Sequence, residues 1–117
     1  MLSGSKILII EDEFLVAFDL EDTVTEAGAT ASIVHDVSNA LAAISASEFA
    51  AAVVDCNLND QSIEPVLEAL VEKHIPFVFH SGSPSMERFS NWPACDVVSK
   101  PATPERIKQA VTRALAA

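Results

Sequence analysis

The sequence predicts an α/β fold in which a doubly wound, five-stranded parallel sheet is covered by helices on both faces. Three observations predict it. Short apolar runs rich in β-branched residues, such as Lys6-Ile7-Leu8-Ile9-Ile10, show no polar alternation and suit strands buried on both faces. Segments with helical spacing separate these runs, so strand and helix alternate as right-handed crossovers require. Acidic, hydroxyl and basic residues stand directly after several of the runs, at the strand ends where such sheets bind ligands.

Lys6–Ile10 is the first strand. From Glu13 to Ala27, Phe14, Leu15, Phe18, Val24 and Ala27 recur at helical spacing, and Gly28 supplies the stop. This segment reads as the first helix. Thr30–His35 reads as the second strand, and Val37–Ala46 as the second helix, with Val37, Ala40, Leu41 and Ile44 on one stripe. Phe49–Val54 is the third strand and delivers Asp55 at its tip, before the turn formers Asn57, Asn59 and Asp60. Ile63–Glu72 groups Val66, Leu67, Leu70 and Val71 into a third helix. Pro76–His80 is the fourth strand, closed by Ser81-Gly82-Ser83-Pro84. Met86–Trp92, bracketed by Pro84 and Pro93 and poor in periodicity, reads as a short or frayed fourth helix. Asp96–Ser99 is the fifth strand and leads into Lys100-Pro101. Thr103 caps a last helix that starts at Pro104.

At 117 residues the chain has room for one core, so residues 1–117 are expected to form a single domain with no output domain after the last helix. Seven Lys and Arg against 17 Asp and Glu give a net charge of −10, which repels nucleic acid phosphates and anionic membranes. The longest stretch free of Asp, Glu, Lys and Arg, His74 to Met86, is too short to span a bilayer and is broken by Pro76, Gly82 and Pro84. The N-terminus lacks the apolar run and cleavage site of a signal peptide, so a cytoplasmic address is expected. Cys56 and Cys95 have neither C-x-x-C spacing nor a clustered His, which predicts reduced thiols and no zinc site.

The strand ends carry the chemistry. Glu11 and Asp12 follow the first strand, Asp55 the third, Ser81 the fourth and Lys100 the fifth, so these side chains converge on one rim. Carboxylates crowded there repel one another unless a hard cation joins them, and Mg²⁺ takes one or two carboxylates plus a phosphate oxygen. Asp55 is then both a ligand and a nucleophile able to accept a phosphoryl group as an aspartyl phosphate. Ser81 offers a hydrogen bond to that group. Lys100 offers a compact charge for Asp55 at rest and for a phosphoryl oxygen afterwards. Each residue has a plainer reading. Asp12 before a helix is about as often an N-cap, Asp55, Asn57 and Ser81-Gly82 suit turns, and a lysine before proline is usually a solvated cation. The joint pattern favours the chemical reading.

Ile10-Glu11-Asp12-Glu13, Val53-Val54-Asp55, Phe79-His80-Ser81-Gly82 and Val97-Val98-Ser99-Lys100-Pro101 resemble, in order and spacing, the signature of the receiver domain of two-component response regulators. The resemblance covers nearly the whole chain and points to the stand-alone type. It implies a flavodoxin-like fold with strand order 2-1-3-4-5, and phosphorylation of Asp55 from the phosphohistidine of a histidine kinase or phosphotransfer protein. It also implies Asp12 and Asp55 as Mg²⁺ ligands, the backbone carbonyl of Asn57 as a third, and Glu11 acting through water. Ser81 takes the switch-hydroxyl role and Lys100 the lysine role. Two positions depart from the family pattern. Val97 stands where an aromatic residue is common, and Ala102 where a large apolar residue often follows Lys-Pro. Without a ring at 97, coupling is expected to run through Ser81 and the segment from Gly82 to Trp92.

Two alternatives come from other classes. An aspartate-nucleophile phosphatase or phosphotransferase usually carries a second acid two residues after the nucleophile, where this chain has Asn57. A degenerate binding module would have lost the acid, serine and lysine set. His80 reads as a partly buried spacer with no catalytic role, Cys56 as inert, and Phe14, Phe18, Phe49, Phe77, Phe79 and Trp92 as scattered core residues.

Overall fold

The computed structural model describes residues 2–56, 58, 61–81, 97–99 and 103–116. Five strands, β1 (Lys6–Ile10), β2 (Thr30–Val34), β3 (Ala51–Asp55), β4 (Phe77–Ser81) and β5 (Val97–Ser99), form one sheet in the order β2-β1-β3-β4-β5. All neighbouring pairs are parallel. Four helices are described: α1 (Phe14–Glu26), α2 (Val37–Ala46), α3 (Glu64–Glu72) and α4 (Pro104–Ala116). The expected helix at Met86–Trp92 lies outside the described residues, as do Asn57 and Lys100. The strand order reverses between β1 and β3, which is where a doubly wound sheet opens a crevice at its carboxyl edge.

Strand alternation splits the core in two. Leu8, Ile10, Val54, Phe77 and Phe79 pack with Ala40 and Ile44 of α2 and Val66, Leu67 and Leu70 of α3. Ile7, Ile9, Val53, Val78 and Val98 pack on the opposite face with Ala17, Leu20 and Val24 of α1 and Ile107, Ala110 and Val111 of α4. β3 is buried along its whole length, as its unalternated run requires. α2 keeps the predicted bounds, and Asp36 caps it by accepting a hydrogen bond from the Asn39 N–H at 2.7 Å. Thr103 caps α4 as expected, accepting from the Arg106 N–H at 3.3 Å.

α1 buries only part of the apolar set that marks it, Val24 and the adjoining Ala27. Phe14, Leu15 and Phe18 are 60%, 81% and 50% exposed, while Ala17, Leu20, Thr23 and Val24 face the sheet. Spacings of three and four residues connect Ala17, Leu20, Val24 and Ala27, and Phe14, Leu15 and Phe18 lie on another side of the cylinder. Thr23 fits the buried stripe because its hydroxyl donates to the Asp19 carbonyl at 2.9 Å. At the end of α1, Gly28 has φ +103, and a Cβ there would stand 2.7 Å from Ser3 Oγ, so glycine alone suits both the backbone and the packed N-terminal segment.

Leu20→Ala should lower unfolding free energy by about 2–5 kcal/mol, whereas Leu15→Ala should change it by about 0.5 kcal/mol or less. Urea unfolding followed by circular dichroism measures both. Equal losses would show that the buried stripe of α1 is assigned wrongly.

Candidate functional site

The site forms because three parallel strands end level. β1 pairs with β3 through Ile10↔Val54, so Glu11 and Asp55, each the next residue, continue that pairing. β3 pairs with β4 through Asp55↔His80. Alternation carries all three side chains to the face already occupied by Ile9, Val53 and Val78, giving a polar row Glu11–Asp55–His80 at the top of an apolar sheet.

Carboxylate oxygens of Glu11, Asp12 and Asp55 all lie within 4.8 Å of one another. Glu11 is fully buried and Asp55 is 2% exposed, while Asp12 is partly open to solvent. The backbone fixes Glu11 firmly. Its N–H donates to the Val34 carbonyl at 3.0 Å, its own carbonyl meets His35 Nδ1 at 2.8 Å, and its Oε2 accepts from the Glu13 N–H at 3.3 Å. Phe14 packs edge-on against the His35 ring, with centroids 4.3 Å apart. Asp12 is not the N-cap of α1. That position belongs to Glu13, whose side chain makes no capping bond.

Ser81 closes β4 opposite Ser99 and is buried, one residue beyond the Asp55↔His80 pair. Alternation assigns it to the Phe77–Phe79 face, so Ser81 and His80 flank the end of β3 from opposite sides of the sheet. Cys56 is buried. His80 differs from expectation, because it is buried rather than partly so, and its Nδ1 stands 3.8 Å from Glu11 Oε1. Period-two alternation from Val78 was the signal that places it on the acid row.

Three oxygen donors within 4.8 Å, two of them buried, are a donor set suited to a hard divalent cation. Each of the three acids offers one oxygen to such a group.

No protein-family model matches the sequence, and no relative was found among curated proteins. Solved structures do match. A response regulator receiver protein from Sinorhizobium medicae is 25% identical with a TM-score of 0.89, covering 100% of this chain and 98% of that one. The receiver domain of the Erythrobacter litoralis PhyR response regulator is 25% identical with a TM-score of 0.85, covering 97% and 92%. The receiver domain of a Pseudomonas aeruginosa sensor histidine kinase, solved with a magnesium ion coordinated in its active site cleft, is 16% identical with a TM-score of 0.84, covering 98% and 100%. The fold is that of the CheY-like receiver domains of response regulators, over nearly the full chain.

Mg²⁺ should stabilise the folded chain, because it binds the assembled acids and not the unfolded ones. At ten times its Kd it should add about 1.4 kcal/mol. Asp55→Asn should raise the metal-free melting temperature by relieving repulsion and should flatten the Mg²⁺ response. Differential scanning fluorimetry against Mg²⁺ concentration reads both effects; a wild-type response that Asp55→Asn leaves intact would assign the ion elsewhere.

Proposed function

We propose that this chain is a two-component receiver that takes a phosphoryl group from a sensor histidine kinase or phosphotransfer protein onto Asp55, with Mg²⁺. One observation carries the reading. The buried carboxylate of Asp55 ends the central strand β3 within 4.8 Å of the oxygens of Glu11 and Asp12, at the edge where the strand order reverses. An oxygen of Asp55 attacks phosphorus, the acyl phosphate bond forms, and the phosphorus–nitrogen bond of the donor phosphohistidine breaks with its electron pair returning to the imidazole. Following the receiver pattern, Asp12, Asp55 and the Asn57 carbonyl would hold the cation and Glu11 would act through water. Bound Mg²⁺ supplies charge neutralisation for the transferring group. Ser81 donates to a phosphoryl oxygen and Lys100 pairs with it, the roles their positions in the receiver pattern imply.

On this reading residues 1–117 act as one receiver domain in the cytoplasm, as a phosphoacceptor whose own chemistry is limited to phosphoryl uptake and hydrolysis. Its output is docking of another protein or onward phosphotransfer, not nucleic acid binding. Among the described residues no helix is long and apolar enough to cross a membrane. Asn57 in place of a second acid disfavours the phosphatase alternative. A donor phosphohistidine must approach the carboxyl edge, and the surface beside it is the exposed apolar group Phe14, Leu15 and Phe18 at the start of α1. That group gives a protein donor an apolar footing next to Asp55.

Labelling by acetyl phosphate should require Mg²⁺ and disappear in Asp55→Ala. Labelling of that variant at the wild-type level, read by radiolabel or intact mass, would sink the reading. Leu15→Asp should slow transfer from a phosphorylated histidine protein about tenfold while leaving acetyl phosphate labelling within about twofold of wild type. Equal slowing with both donors would move the role of Leu15 from docking to the site itself.

A further inference from the structure

His35 stands where the acid row meets the apolar surface of α1. It follows β2 directly and, one step past the last β1–β2 pair Ile10↔Val34, lies opposite Glu11. Its Nδ1 is 2.8 Å from the Glu11 carbonyl. A carbonyl oxygen only accepts, so Nδ1 carries the proton and donates. That carbonyl belongs to the Glu11–Asp12 peptide. Because a peptide group is planar, holding its oxygen sets the plane from which the Asp12 Cα and its carboxylate extend. The same imidazole meets the Phe14 ring edge-on, with centroids 4.3 Å apart. Phe14 is 60% exposed, so this contact restrains a ring that lies largely outside the core.

We propose that His35 is a positioning residue with two separable tasks: its N–H fixes the Glu11–Asp12 peptide so that the acids meet a cation together, and its ring seats Phe14 for a phosphohistidine donor. Both tasks rest on the chain accepting phosphate at Asp55. His35 acts through Glu11, Asp12 and Phe14, which is how a supporting side chain orients the groups that do the chemistry. Closing the end of β2 against β1 does not need the imidazole, since the Glu11 N–H already donates to the Val34 carbonyl at 3.0 Å. An imidazole suits both tasks because one planar group offers a hydrogen-bond donor and an aromatic surface.

Two replacements divide the tasks. His35→Phe keeps a ring for Phe14 and removes the donor, whereas His35→Asn puts an amide N–H where Nδ1 stands and removes the ring. By isothermal titration calorimetry His35→Phe should weaken Mg²⁺ about threefold or more and slow acetyl phosphate labelling to match, while His35→Asn should hold both within about twofold of wild type. The second arm uses a histidine phosphotransfer domain that labels the wild-type chain, and reads its transfer rate divided by the acetyl phosphate rate. That ratio should fall about threefold or more in His35→Asn, stay within about twofold in His35→Phe, and fall no further when His35→Asn is added to Phe14→Ala. Thermal melts identify which variants are folded. Unchanged Mg²⁺ affinity in folded His35→Phe overturns the first task, and an unchanged ratio in folded His35→Asn overturns the second. Losses in both variants that simply follow their melting temperatures overturn the two together. A wild-type chain that takes up neither Mg²⁺ nor phosphate overturns the receiver reading itself, whatever the variants do.

Discussion

Parallel pairing of β1 with β3 sets Glu11 beside Asp55, and the rest of the rim depends on that pairing. A one-residue slip of either strand would turn its acid to the opposite face from the other and break the polar row. The register is held by burial on both sides of the sheet, since Ile7 and Ile9 face α1 and α4 while Leu8 and Ile10 face α2 and α3. Hydrophobic packing therefore fixes the place of groups that repel one another. A cation that met these carboxylates together would bind where the sheet already holds them close.

The same geometry explains why the site is built on strands and the exposed apolar group on a helix. β3 is buried along its whole length, so Asp55 is presented from a packed central strand. α1 begins three residues after Glu11, and its first turn presents Phe14, Leu15 and Phe18 to solvent beside the acids. Rigid chemistry and an adaptable surface thus adjoin without sharing residues.

Much of this was legible from residue order. Strands β1 and β3 could be read from unbroken apolar runs, and helix α2 to the residue, because the stripe of Val37, Ala40, Leu41 and Ile44 marks it. The acids were legible through the joint pattern, since each alone would suit a cap or a turn, but acids at two strand ends with a hydroxyl and a lysine at two others do not. α1 was misread because hydrophobicity ranks Phe and Leu above Ala and Thr, while burial is decided by which side of the helix meets the sheet. His80 was underread for a related reason. A polar residue near the end of Phe77–Ser81 looks like a strand-end spacer until pairing with β3 puts it opposite Asp55.

The central claim is that Glu11, Asp12 and Asp55 act as one cation-binding constellation at the carboxyl end of β1 and β3. Crystals soaked in Mn²⁺ test it most directly, through an anomalous difference map collected at the manganese edge. The account predicts one strong peak within bonding distance of both the Asp12 and Asp55 carboxylates. Density at other surface acids with none between these two side chains would contradict it.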